Sequence, residues 1–210
     1  MSAVSDPDHK LQEVSLIGYK SIRELRNLRL DPGLNVLIGA NGSGKTNFIR
    51  FFELLQHVTS PDKDLQHYIN VRGRADAFLF RGMKVTPELT ARLKFADGIY
   101  AFQLRGANDR SLIPTVVAEV MNPSASTIQR WRVYHFHDTT PAAPVMGLSN
   151  RVDDRILHGD AGNLAAFLWR LDREYPEHHA RIVEAIRQVA PFFGGFIHQE
   201  VSPGQTQLLW

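Results

Sequence analysis

Residues 34–52, LNVLIGANGSGKTNFIRFF, run from an apolar stretch through a glycine-rich loop into a second stretch whose apolar residues change period. Within them, Gly39-Ala40-Asn41-Gly42-Ser43-Gly44-Lys45-Thr46 satisfies every fixed position of G-x-x-x-x-G-K-[ST]. Leu34–Ile38 is a short apolar run ending at a glycine, the pattern of a buried central strand. From Lys45 onward, Phe48, Phe51, Phe52, Leu55 and Val58 recur at helical spacing and predict an amphipathic helix that stops at Ser60-Pro61. A loop between such a strand and such a helix is suited to a polyanion. Glycines at 39, 42 and 44 admit positive φ and leave no side chain between backbone and ligand. The helix start adds unpaired N–H groups and the positive end of its dipole. Lys45 then supplies a charge for terminal phosphates, and the Thr46 hydroxyl is placed to hold magnesium.

The rest of the chain has to build a domain around that loop. LQEVSLIGY (11–19) reads as a strand, and SIRELRNLRL (21–30) as its partner. Asp31-Pro32-Gly33 is turn chemistry. Asp97-Gly98, between alternating runs that contain Leu93, Phe95, Tyr100, Phe102 and Leu104, predicts a hairpin. SLIPTVVAEVM and IQRWRVYHF are read as further strands of an antiparallel sheet. Residues 138–154 are rich in proline and small residues and predict a surface loop. NLAAFLWRLDREY and EHHARIVEAIRQVA predict two helices, and FGGFIHQEVSPGQTQLLW a strand, a turn and the start of another strand. The organisation expected is a polar tail (1–10), a nucleotide-binding lobe with an antiparallel β-rich part (11–137), a linker (138–158), a helical lobe (159–196) and a β segment cut short (197–210).

Composition narrows the chemistry. With no cysteine among 210 residues, disulfides, thiolate nucleophiles and zinc–thiolate sites are excluded, and a reducing, cytoplasmic setting is expected. A net charge of +2 gives little whole-molecule attraction to nucleic acid. No apolar stretch is long enough to span a membrane, and no signal peptide is evident at the N-terminus.

VSLIGYKSIRELRNLRLDPGLNVLIGANGSGKTNFIRFFELL resembles the start of the RecF-like and SMC-like ABC-type P-loop ATPases. In those proteins an aromatic-basic-Ser step precedes the loop. Asn41 to Asn47 match closely, with Ala40 where proline is common and Thr46 where serine is common. WRVYHFHDTTPAAPV and the run 159–196 look like later parts of uncharacterised bacterial predicted ATPases of this class. The resemblance implies an α/β P-loop NTPase fold: an N-terminal mixed sheet, a β-rich insertion, a helical lobe and an apparent truncation. It implies ATP and Mg2+ as ligands, held by Gly39, Ala40, Asn41, Gly42, Ser43, Gly44, Lys45, Thr46 and Asn47. It also places Tyr19-Lys20 near the nucleotide, with Lys20 able to approach the phosphates. Complete family members dimerise around two ATP molecules, and DNA maintenance or anti-phage defence is the role the resemblance suggests.

Hydrolysis in this class also needs an apolar strand ending in Asp-Glu and a Ser-Gly-Gly signature loop, and neither is present. The nearest approach is Glu119 in TVVAEV, which has no preceding aspartate. This chain alone is therefore expected to bind Mg–ATP weakly or not at all, and not to turn it over. Two other readings stay open: a stand-alone phosphotransferase acting on a small molecule, and a binding-only module completed by a partner chain that carries the missing half.

Other clusters carry less. His135-Phe136-His137-Asp138 has a metal-like His-x-His spacing but lacks further ligands, and fits a structural strand end. His178-His179 reads as a solvated helix turn. Arg23, Arg26 and Arg29 read as solvated surface, because three-residue spacing alternates faces on a strand. Phe192, Phe193 and Phe196 read as a core plug.

Overall fold

The computed structural model describes residues 10–60, 62–120, 124–134, 140 and 142–210, without the side chains of 116–120 and 124–126. The chain forms two compact units, Met1–Trp131 and Arg132–Trp210.

In the first unit, β1 (Leu11–Tyr19) and β2 (Ile22–Arg29) form a hairpin that joins β3 (Glu88–Phe95), β4 (Ile99–Gly106) and β5 (Leu112–Val120) in one sheet of order β2-β1-β3-β4-β5. Every pairing is antiparallel. The expected mixed sheet with a separate β-rich insertion is thus a single antiparallel sheet, because β1 pairs directly with β3. Asp97-Gly98 makes the β3–β4 turn, with the Phe95 N–H donating to Gly98 O at 2.8 Å.

Helices α1 (Lys45–Thr59), α2 (Leu65–Val71) and α3 (Arg74–Phe78) share the core of this sheet. Val14, Leu16, Leu93 and Phe102 from the strands and Phe51, Leu54, Leu55 and Phe78 from the helices are all buried in it. Phe51 stacks on Phe102 at 6.3 Å and meets Tyr19 edge-on at 5.8 Å. Truncating a residue packed like Phe51 to alanine costs about 3–5 kcal/mol. A short α4 (Ser124–Arg130) replaces the strand expected for IQRWRVYHF at residues 128–130, and residues 131–134 are not strand. Gln56 donates to Trp131 O at 2.7 Å, and the Trp131 ring lies 5.4 Å from Phe52.

Strand β2 explains its own three-residue period. Val14 pairs with Leu28 and Leu16 with Leu25, so two residues of β1 face three of β2. Asn27 absorbs the extra residue at φ 51, and its N–H donates to Ser15 Oγ at 3.0 Å. Ile22, Leu25 and Leu28 therefore all pack against the core, while Arg23, Arg26 and Arg29 are exposed. On the sheet surface the charges pair with one another: Arg92 with Glu13, Arg105 with Glu88 and Arg26 with Glu24.

In the second unit, α5 (Leu164–Glu174) and α6 (Pro176–Val189) pack with a three-stranded antiparallel sheet, β6-β8-β7, made of Ser149–Asn150, Gln205–Leu209 and Ile197–Ser202. Pro176 opens α6 at a first-turn position, where its missing N–H costs nothing. Buried Asn163 gathers the loop before α5: its Oδ1 accepts from the His158 N–H at 2.8 Å, and its Nδ2 donates to Asp153 O and Ile156 O. The aromatic plug is only partial. Phe193 and Phe196 meet at 5.1 Å, but Phe192 is 91% exposed. His179 is mostly buried beside Phe196 and pairs with Asp172, so only His178 of that pair is solvated.

Candidate nucleotide-binding site

The glycine-rich loop has the backbone its sequence requires. Gly42 and Gly44 sit at φ 80 and 96, in the left-handed region, and Gly44 is the N-cap of α1. No side chain caps that helix and no acidic residue lies in its first turn. The N–H groups of its first turn have no helical carbonyl to bond and, with the helix dipole, face outward as an anion site. A methyl group added at Gly42 would meet nothing within 4 Å, so the glycine is there for its conformation rather than for space.

Lys45 lies across the loop. Its Nζ donates to Gly39 O at 2.7 Å, to Ala40 O at 2.8 Å and to Ser43 Oγ at 3.4 Å. The ammonium is thus held over the loop by carbonyls that a polyphosphate would replace. Thr46, in the first turn, is exposed, and Asn47 donates through Nδ2 to Ser21 Oγ at 2.8 Å. Beside the loop is a cleft of about 520 Å³, lined by Ser21, Leu25, Leu28, Ile38, Lys45 and Phe48 among others. That volume lies within the range of small-molecule sites.

The strand leading into the loop departs from expectation. Leu34–Ile38 belongs to neither sheet, and Leu34, Val36 and Ile38 are 87%, 68% and 92% exposed. Among the described residues no strand pairs with it; the Asn35 side chain bonds Asp31 N and O, and Leu37 and Ile38 line the cleft with Leu25, Leu28 and Phe48. The loop is therefore anchored by α1 and by Ser21 in the β1–β2 turn, not by a paired strand leading into it.

The Lys20 ammonium rests 4.6 Å from the centre of the Phe78 ring and 5.8 Å from that of Tyr19. Burial, then the neighbouring Arg50 and Arg72, push its pKa down. Its backbone has φ 49. Around it lies a polar network that the sequence reading missed. Glu53 accepts from Tyr68 Oη at 3.3 Å and from Arg72 at 3.0 Å, and His57 stacks on Tyr68 at 4.0 Å. Burial raises Tyr19 well beyond the ordinary tyrosine value and pushes Tyr68 up to about 12. The signal was available, since Arg50, Glu53 and His57 recur along one side of α1 at helical spacing. His135-Phe136-His137-Asp138 and the Glu119 side chain lie outside what is described. Among the described residues no group of three or more His, Asp or Glu could hold a metal. A magnesium ion at this loop would draw on Thr46 and on phosphate and water oxygens.

The first unit is thus an α/β unit with a loop of P-loop sequence at the start of α1. A family described as "AAA domain, putative AbiEii toxin, Type IV TA system" matches residues 34–115. The chain is also similar to curated proteins called DNA replication and repair protein RecF. That of Aliivibrio fischeri is 38% identical over 73 residues, 32% of this chain and 20% of the relative. That of Limosilactobacillus fermentum is 42% identical over 59 residues, 26% and 16%. That of Renibacterium salmoninarum is 32% identical over 115 residues, 53% and 27%. The likeness is to RecF-like P-loop ATPases, in their N-terminal region. The matched part spans about a quarter or less of these relatives. Among the described residues no helix is long and apolar enough to cross a membrane.

Proposed function

We propose that this chain is the ATP-binding portion of a RecF-like, ABC-type ATPase of the cytoplasm. The observation that carries the reading is the loop 39–46, with Gly42 and Gly44 left-handed and the start of α1 uncapped. In this reading the loop amides of 39–46 and the start of α1 wrap the β- and γ-phosphates. Lys45 leaves the carbonyls of Gly39 and Ala40 for the terminal phosphates, and Thr46 holds Mg2+. Bound magnesium would neutralise charge that builds on the phosphate oxygens. Asn47 orients the first turn; of the hairpin's cations, Arg23 lines the cleft beside the loop while Lys20 rests against the Phe78 and Tyr19 rings.

Catalysis needs charges that this chain lacks, so a partner segment supplies the carboxylate strand and the signature loop, and the complete protein works as a dimer. The exposed run Leu34–Ile38 supports this, because an unpaired apolar run is what a completing strand would cover. The relatives' printed name supports a role in DNA maintenance, and the family description a role in defence.

The test is calorimetric titration of Mg–ATP into this chain, with Lys45→Ala as control. Saturable binding that weakens by about tenfold or more in the variant is expected, since a charge-assisted contact contributes ~1.5–3 kcal/mol. Steady-state phosphate release should be absent. Wild-type protein that binds no nucleotide, or binds no better than Lys45→Ala, overturns the reading.

A further inference from the structure

Ser21, in the β1–β2 turn, lies against the loop rather than in the sheet. Its Oγ accepts the hydrogen bond from Asn47, and a methyl group added at Gly44 would stand 3.1 Å from that same oxygen. The turn is pinned from its other side. The Lys20 N–H donates to Phe78 O, and the Phe80 N–H donates to Gly18 O, each at 2.9 Å. Ser21 is therefore held at the loop by backbone bonds on both sides of Tyr19, not by chance rotation of a surface side chain.

Hydrogen-bond polarity then says what the hydroxyl can do. A serine hydroxyl has one proton and two lone pairs, and an amide nitrogen can only donate. The Asn47 contact uses a lone pair and leaves the proton, for which no described residue is an acceptor. Ser21 is exposed and lines the same cleft as Ser43, Gly44 and Lys45. A donor already accepting one hydrogen bond is polarised toward giving another.

We propose that Ser21 is a further phosphate-binding residue. With a polyphosphate in the loop its O–H donates to a phosphate oxygen, while Asn47 holds the hydroxyl oxygen and fixes the direction of the proton. This rests on the reading that loop 39–46 holds a nucleotide.

Mg–ATP and inorganic tripolyphosphate are titrated into wild type, Ser21→Ala, Asn47→Asp and Lys45→Ala, with unliganded melting temperatures measured alongside. Ser21→Ala should weaken both ligands by about tenfold, the loss of one hydrogen bond to a charged group, with unliganded melting unchanged. Asn47→Asp should weaken them at least as much, because its carboxylate accepts the Ser21 proton and repels the ligand. Ser21→Ala within about twofold of wild type, while Lys45→Ala loses binding, overturns the proposal and leaves the nucleotide reading standing. So does a loss matched by lower unliganded melting, or one confined to ATP. Wild type that binds neither ligand sinks both.

Discussion

The exposed run before the loop sets up a measurement that separates two pictures of this chain. If Leu34–Ile38 were a buried central strand, Val36→Ala with Ile38→Ala would cost several kcal/mol, since Ile→Ala alone removes about 2–5 kcal/mol from a core. In the structure Ile38 is 92% exposed and Val36 68%. Full burial of such a side chain contributes only ~1.5–3 kcal/mol, so the residual burial leaves about 0.2 kcal/mol for Ile38 and under about 1 kcal/mol for Val36. Leu16, fully buried in β1 of the same unit, is the reference, and Leu16→Ala should cost about 2–5 kcal/mol. Urea unfolding is followed by Trp131 fluorescence, since its ring packs on Phe52 and Phe95 in the first unit's core. Trp169 and Trp210 are first changed to Phe. A double variant that loses as much stability as Leu16→Ala would refute the exposed placement, and with it the argument that this run awaits a partner strand.

Three further outcomes follow from single residues. Gly18→Ala should destabilise by roughly 2–4 kcal/mol in urea, because the site has φ 77 and the new Cβ would lie 2.7 Å from Glu88 O, whereas Gly42→Ala, with open space around it, should cost only about 1 kcal/mol. Lys45→Met removes contacts to exposed carbonyls, so unliganded stability by the same assay should shift by no more than about 0.5 kcal/mol even as nucleotide binding is lost. His198 should make stability fall in acid. Burial and the facing His179 and Arg151 lower its folded pKa, against the opposing pull of Asp172. The unfolded chain therefore binds the extra proton first, and the stability present above the ordinary histidine value near 6.5 is lost as pH drops through the window below it. His57, lowered mainly by burial, acts in the same direction, so denaturation at pH 7.5 and 5.5 should show a gap that His198→Asn narrows but does not close.

What the sequence made legible was local. The hairpin at Asp97-Gly98, helix α1 with its Phe48, Phe51 and Leu55 face, and the α5 and α6 pair all follow from period and turn chemistry, which act within a few residues. The loop was legible for the same reason, since its spacing encodes its own backbone. What period could not show was pairing. That β1 joins β3, making one antiparallel sheet, depends on contacts some 80 residues apart in sequence. The three-residue recurrence in β2 looked like alternating faces, yet the bulge at Asn27 turns Ile22, Leu25 and Leu28 the same way. IQRWRVYHF mixes β-formers with Gln129 and Arg130, and the helix won at its start, where Gln129 donates to Thr59 O and Ile128 is buried.

The same distinction bears on the loop. An apolar run reads as a buried strand only if something covers it, and composition cannot name the cover. Here α1 fixes one end of residues 39–46, through the Phe48 N–H bond to Gly44 O and the Asn47 link to Ser21, while the other end continues into residues no sheet holds. A loop held at one end can exchange shapes, and a ligand that selects one shape is weakened by the fraction of time the loop spends in the others. Pairing Leu34–Ile38 with a completing strand would hold the second end and raise that fraction. Nucleotide affinity should therefore rise when the partner segment is added, and nucleotide should tighten the partner's binding by the same factor.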